Sequence, residues 1–265
     1  MKITLIVNGA AGRMGRRIIT IALESGQFDI IAAVEKHDHP DIGRDAGQLV
    51  GKDPINVKID STCPSDAGCL IDFSLPEAAD AIIAHCLRNN IALVMCTTGL
   101  ADEQIKKIKD AAHKIPVIRS ANMSIGMNVL FSLAGKVADM LGDDYDIEII
   151  ESHHRFKKDA PSGSALTLAE NIAKQTNRAW PGCLVHGRSG KNATRLKGTI
   201  GMHAVRAGDI TGEHTVIYTA LGERITLTHT AHSRDTFAVG ALRAAAWLTG
   251  KEAGLYSMAD VLGIK

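Results

Sequence analysis

No excess of charge marks this chain: 30 Lys+Arg stand against 29 Asp+Glu, a formal net charge of +1 over 265 residues. That balance removes any global electrostatic attraction to nucleic acid or to a membrane surface. No uninterrupted apolar run approaches the roughly 20 residues needed to span a bilayer. The opening segment MKITLIVNGAAG has too short an apolar stretch for a secretory signal and no cleavage site, so the expectation is a cytoplasmic protein. Cysteine is sparse: five residues at 63, 69, 86, 96 and 183, with no CxxC pair, which excludes the disulfide framework of a small secreted domain. Cys63 and Cys69 read better as free thiols than as metal ligands. There is no internal repeat and no low-complexity tract. What remains, 45% hydrophobic and 22% charged residues, is an ordinary folded composition, enough for one large domain or two modest ones.

Short apolar runs alternate with helical patterns through the first half. Strands are expected at 2–7, 29–35, 69–74, 91–96 and 114–120, and helices at 13–24, 76–88 and 101–113; residues after 36 read as loop. This alternation predicts an α/β fold with a doubly wound parallel sheet of the Rossmann type. After about residue 120 the character changes. An amphipathic segment at 126–141 leads into a half-solvated strand at 145–154, and a helix starts near Ser162. At least three strands with short turns follow from Lys197, which predicts a second α+β domain with a mixed or antiparallel sheet. A final helix at 235–248 can pack on either domain. The domains are placed at 1–125 and 126–235.

Two constellations carry chemistry. The first is Gly9-Ala10-Ala11-Gly12-Arg13-Met14-Gly15, directly after a strand and opening a helix. Gly9 suits a tight turn, Gly12 lets backbone approach a pyrophosphate, and Gly15 permits close helix packing. The GxxGxxG spacing departs from the usual GxGxxG. Glu35 follows Gly15 by 20 residues, at a strand end where a carboxylate meets ribose hydroxyls; it favours NAD. Lys36 either contacts the 2′-phosphate of NADP or is a solvated loop residue, and Arg13 and Arg16 are further candidates for that phosphate. The loops Cys96-Thr97-Thr98 and Ser120-Ala121-Asn122-Met123 follow later strands, at the sheet edge where open α/β sheets bind ligands, although either is equally readable as a turn or a helix cap.

The second constellation is ESHHRFKKDAPSGS at 151–164. His153 and His154 can exchange protons near neutral pH, and Lys157 can pair with a carboxylate or donate where charge develops. Gly163 and Ser164 open a helix and offer N–H and hydroxyl donors to an anion. Adjacent histidines on a strand point to opposite faces, so only one is expected to work from the strand itself. A metal site using these histidines with Glu151 and Asp159 lacks any HExxH-like spacing. A solvated charge run remains the plainer alternative. An RNA-binding patch would need more aromatic platforms than Phe156 alone. The constellation describes a site for a small, carboxylate-bearing substrate.

With these residues in hand, the chain resembles the 4-hydroxy-tetrahydrodipicolinate reductase (dihydrodipicolinate reductase) family over nearly its full length. The likeness rests on GAAGRMG at 9–15, TTG at 97–99, the run at 151–164, and the later GTIGMHAVRAGDITGEHTV and SRDTFAVGALRAAAWL. The resemblance implies reduction of the cyclic product of pyruvate and aspartate semialdehyde by NADH or NADPH, in the diaminopimelate route to lysine. It implies His153 as proton donor or acceptor, Lys157 as proton donor, and His154, Gly163 and Ser164 on the carboxylates of a small dicarboxylate substrate. It assigns Gly9, Ala10, Ala11, Gly12, Arg13, Met14, Glu35, Lys36, Cys96, Thr97, Thr98, Ser120, Ala121, Asn122 and Met123 to the cofactor, and no metal. It also implies a homotetramer joined through the 126–235 domain, with 236–265 returning to the cofactor domain. Three positions depart from the family pattern: Cys96 where glycine is frequent, expected to crowd the loop; Ser164 for threonine; and Lys36 for arginine.

Overall fold

The structure, a computed structural model, describes residues 1–264, so Lys265, the last residue of the expected C-terminal segment, lies outside it. The chain divides into two compact units: Met1–Ile125 together with the chain from Arg234 onward, and Gly126–Ser233.

The first unit begins with β1 (Ile3–Asn8), α1 (Arg13–Ser25), β2 (Phe28–Val34), α2 (Ala46–Leu49), β3 (Ile59–Asp60), β4 (Cys69–Asp72), α3 (Pro76–Asn89), β5 (Ala92–Met95), α4 (Asp102–Ala111) and β6 (Pro116–Arg119). The second unit holds α5 (Ile125–Leu141), β7 (Asp146–His153), α6 (Gly163–Gln175), β8 (Leu184–His186), β9 (Ile200–Arg206), β10 (Gly212–Ala220) and β11 (Glu223–Ala231). The chain then returns to the first unit as α7 (Asp235–Leu248), β12 (Gly254–Tyr256) and α8 (Met258–Leu262).

Seven parallel strands in the order β12-β6-β5-β4-β1-β2-β3 form the first sheet. Its central strands are mostly apolar because helices cover both faces, with polar residues at the ends of β1 and β4. Leu5, Val7, Ile71 and Val94 meet α1 and α7 on one side, while Ile6, Leu70, Leu93 and Met95 meet α3 and α4 on the other. The arginine-rich α1 still buries Ile18, Ile19 and Ala22 along one stripe, and Gly26 ends it in the left-handed conformation. Pro76 opens α3, where its missing N–H costs nothing. The final helix α7 belongs to this core through Ala238, Ala241, Leu242, Ala245 and Leu248. Arg17 of α1 grips Asp235 at its start with two bonds of 2.5 and 2.9 Å.

Three stretches differ from the sequence expectation. The region after residue 36 is not plain loop: Asp45 caps α2 by accepting from Gly47 and Gln48, and β3 extends the sheet beside β2. Elements of four and two residues are too short to display a period. For the same reason β8, β12 and α8 left no readable pattern. Strand β2 stops at Val34, so Glu35 stands just past the strand, and β7 stops at His153, so His154 belongs to the following loop.

The second sheet is mixed, ordered β11-β10-β7-β9-β8, antiparallel from β7 through β11 and parallel from β7 to β8. One face carries Ile147, Ile149, Met202, Val216 and Tyr218 and packs under α5 and α6. On the other face Glu148 gathers Arg188 through two bonds (2.9 and 2.8 Å), Arg195 at 3.0 Å and His203 at 2.7 Å. Partial burial pushes the Glu148 carboxyl up, but the bonds from Arg188, His203 and Arg195 outweigh it and hold it at about 2. A carboxyl lowered on folding stabilises the native state above its ordinary value of 4.5 and loses that contribution as pH falls toward 2. Acid unfolding followed by circular dichroism should therefore steepen between pH 4.5 and about 2, and Glu148→Gln should flatten the slope in that window.

Candidate functional site

In the first unit the predicted turn is compact by construction. Gly9 has a φ of +74°, and a Cβ there would meet the Phe73 carbonyl oxygen at 2.7 Å. A Cβ on Gly15 would lie 2.1 Å from the Gly9 oxygen, so α1 packs straight onto the turn. No side chain caps α1 at Gly12, which leaves its first N–H groups and positive dipole end free for an anion. Beside the turn lies a cavity of about 600 Å³ lined by Gly9, Gly12, Glu35, Lys36, Phe73 and Leu75 among others. Glu35 sits at its edge, its Oε2 accepting from the Ala11 N–H at 3.3 Å. A glycine cradle, an uncapped helix start and a strand-end carboxylate around one cavity fit a dinucleotide.

The first of the two later loops is fixed by a residue the motifs did not flag. Asp72, the last residue of β4, is fully buried. Its carboxylate accepts from Asn8 Nδ2 at 2.7 Å, from the Ser74 hydroxyl at 2.6 Å and from Thr97 Oγ1 at 2.7 Å. It thereby ties the C-terminal ends of β1 and β4 to the Thr97 loop. Thr98 next to it is exposed. The Cys96 side chain is buried in the core with Val94, Ile118 and Met123, and burial together with Asp72 raises its thiol well above the ordinary range. The 120–123 loop is shaped by the Ser120 hydroxyl, which donates to the Asn122 carbonyl at 2.9 Å. Helix α7 presses on its backbone so closely that a Cβ on Gly240 would lie 1.8 Å from the Met123 oxygen.

The cations suggested for a 2′-phosphate are mostly engaged. Arg16 donates to the Ala11 carbonyl at 2.8 Å and to Asp41 at 3.0 Å, and Asp41 also holds Arg44. Lys36 pairs with Asp38 at 3.3 Å, both exposed. Only Arg13, exposed on the first turn of α1, has no ion-pair partner among the described residues.

In the second unit the run at 151–164 folds into a connected network. Glu151, fully buried on β7, accepts from His153 Nδ1 at 2.5 Å, from Arg206 twice (2.8 and 2.7 Å) and from the Ser162 N–H at 3.0 Å. Burial pushes this carboxyl up, yet the bonds from His153, Arg206 and Ser162 prevail and hold it at about 2. Arg206 also donates to the Asp159 carbonyl at 2.7 Å, and the Asp159 carboxylate takes Lys157 at 2.8 Å. Ser162 caps α6, its hydroxyl accepting from the Ala165 N–H at 3.2 Å, so Gly163 and Ser164 form the helix's first turn. His214 of β10 lies against His153 with ring centroids 5.2 Å apart; burial first, then His153, lowers it to about 3 and keeps it neutral. His154 lies beyond the strand with its ring 6.3 Å from that of Phe156. Arg206 and His214 were invisible as site residues because they lie 55 and 52 positions from the groups they bond, Glu151 and Ser162.

Two family models match the chain: one described as dihydrodipicolinate reductase, N-terminus, over residues 3–123, and one as dihydrodipicolinate reductase, C-terminus, over 126–262. A 4-hydroxy-tetrahydrodipicolinate reductase of Alkalilimnicola ehrlichii is 44% identical over 267 residues, spanning 100% of both chains. One of Syntrophus aciditrophicus is 44% identical over 98% of each. Among solved structures, a dipicolinate-bound dihydrodipicolinate reductase from Paenisporosarcina sp. TG-14 shares the fold with a TM-score of 0.76 at 23% identity, covering 97% of this chain and 98% of the other.

The Lys36–Asp38 pair yields a test of cofactor choice. Asp38→Asn should strengthen NADPH binding about two- to fivefold, the worth of one exposed ion pair, and leave NADH binding unchanged. Titration of cofactor fluorescence measures both.

Proposed function

Since the chain belongs to the dihydrodipicolinate reductase family, we propose that His153 and Lys157 run the proton half of its reaction while the first turn of α6 holds the substrate. The reaction is NAD(P)H-dependent reduction of (2S,4S)-4-hydroxy-2,3,4,5-tetrahydrodipicolinate to (S)-2,3,4,5-tetrahydrodipicolinate, a step of the diaminopimelate route to lysine. Loss of the 4-hydroxyl as water leaves an α,β-unsaturated imine. Reduced nicotinamide, when bound, supplies the hydride that carbon 4 of this ring accepts. Gly9 to Met14, with Glu35, Lys36 and the loops at 96–98 and 120–123, form the holding groups for that cofactor.

The residues of the second unit account for the remaining steps. Hydride uptake moves an electron pair into an enamine, and His153 returns a proton to the ring carbon. Lys157, beside it through Asp159 and Arg206, places an N–H where negative charge grows. His154 and the N–H groups of Gly163 and Ser164 receive the two carboxylates. One observation carries this reading: His153, Lys157 and the start of α6 all converge on a single hydrogen-bonded network centred on Glu151. No helix among the described residues is long and apolar enough to cross a membrane. The five free cysteines suit a reducing compartment, and the cytoplasm is the proposed location.

Self-association is part of the proposal. The face of the second sheet opposite α5 and α6 presents Ile150, Val205, Thr215, Ile217 and Thr226, and Val205 is 43% exposed. A mixed apolar face of this kind supports a homotetramer joined sheet to sheet.

Two measurements test these points. With substrate made in place by the synthase from pyruvate and aspartate semialdehyde, His153→Ala should lower kcat by about a hundredfold or more while NADH affinity stays within about twofold. Equal loss of both would refute the assigned role. Light scattering should give a tetramer for the native chain and a smaller species for Ile217→Arg; an unchanged mass would place the interface elsewhere.

A further inference from the structure

Behind His153 stands an ion pair that the reaction as written leaves without a task. Glu151 is fully buried, and an ionised carboxylate only accepts hydrogen bonds. Its 2.5 Å contact with Nδ1 of His153 therefore places a proton on that nitrogen in either charge state of the ring. The exchangeable site is Nε2, which lies on the side of Gly212, where an added Cβ would come within 3.2 Å. An unneutralised carboxylate attracts the protons of an imidazole bonded to it and opposes their release. Arg206 counters it with two bonds of 2.8 and 2.7 Å to the same carboxylate.

The charged and titratable groups facing His153 are few. They are Glu151 on its own strand, Arg206 on β9, His214 on β10 with His229 across on β11, and Lys157 and Asp159 in the following loop. Among the described residues, Glu151 alone bonds the ring, and Arg206 alone bonds both Glu151 oxygens from another strand.

We infer that Glu151 and Arg206 act as a matched pair of positioning residues. Glu151 fixes the His153 tautomer with Nε2 as the proton-exchanging atom, and Arg206 weakens the hold of the carboxylate so that the proton can leave. In each turnover Nε2 gives its proton to the substrate carbon, the ring is left neutral with Nδ1–H on Glu151, and solvent returns a proton to Nε2. The inference rests on the proton-donor role given to His153.

Opposite electrostatic changes should move the enzyme in opposite directions, which general damage to the fold does not do. Replacing the charge in Glu151→Gln should favour the neutral ring. The ratio of kcat/KM at pH 8 to that at pH 6 should then fall about tenfold. Arg206→Met leaves the carboxylate uncompensated and should raise the same ratio, while Arg206→Lys should stay near the native value. Because a bare buried carboxylate can prevent folding, the double variant Glu151→Gln/Arg206→Met removes both charges and should return the ratio toward the native one. Nitrogen NMR of the full chain labelled in histidine, assigned with His153→Asn, reads the ring directly, and cofactor fluorescence reports that each variant is folded. Movement of the His153 titration curve down in Glu151→Gln and up in Arg206→Met supports the inference. Curves that move in the same direction, or a native ring with its neutral-state proton on Nε2, would overturn it. If the NMR curves move as expected and the rate profiles do not, the pairing stands and the proton-donor role of His153 fails.

Discussion

A carboxylate withdrawn from water must be surrounded by donors, since an uncompensated one costs several kcal/mol. Each unit of this protein has a candidate site organised by that requirement. Asp72 in the first unit and Glu151 in the second are each fully buried near the C-terminal end of a central strand. Satisfying Asp72 draws in Asn8, Ser74 and Thr97, which lie at or just beyond the ends of three neighbouring strands. Satisfying Glu151 draws in His153, the cap of α6 and Arg206 from β9. In each case the same bonds that make burial tolerable also order the loops proposed to meet a ligand.

The rest of each unit serves to make those positions rigid. Helix α7 returns across the chain to pack on α1 and to press on the backbone of Met123, so one of the cofactor loops rests on the C-terminal segment. In the second unit α5 and α6 cover one sheet face, and Tyr218, fully buried, donates to the Ala134 carbonyl at 2.6 Å beneath them. The other face is left to Glu148 and its arginines and to the apolar residues beside them. The proposed catalytic groups thus hang from strand ends and helix starts, where backbone geometry is set by the sheet and the cap.

Much of this was legible in the sequence where a period or a local motif carried the information. The β–α alternation of the first half, the Gly9–Gly15 turn and the span of α7 follow from patterns within about 15 residues. The run at 151–164 announced proton and anion chemistry because its residues are contiguous. What sequence reasoning missed is non-local. Asp72 drew no notice inside the expected strand at 69–74, and its role depends on Asn8 and Thr97, which lie 64 and 25 positions away. Arg206 belongs to the site only because β9 pairs in parallel with β7 and sets Arg206 opposite His153. The burial of Cys96 in the core is likewise set by residues distant in sequence, Ile118 and Met123.

The central claim is that reduced nicotinamide passes a hydride directly to ring carbon 4 of the substrate. Reduction with NADH carrying deuterium at both positions of nicotinamide carbon 4, followed by mass and NMR analysis of the product, tests it most directly. The account predicts one deuterium per product molecule, located at ring carbon 4. Product free of label, or label found at another ring position, would contradict it.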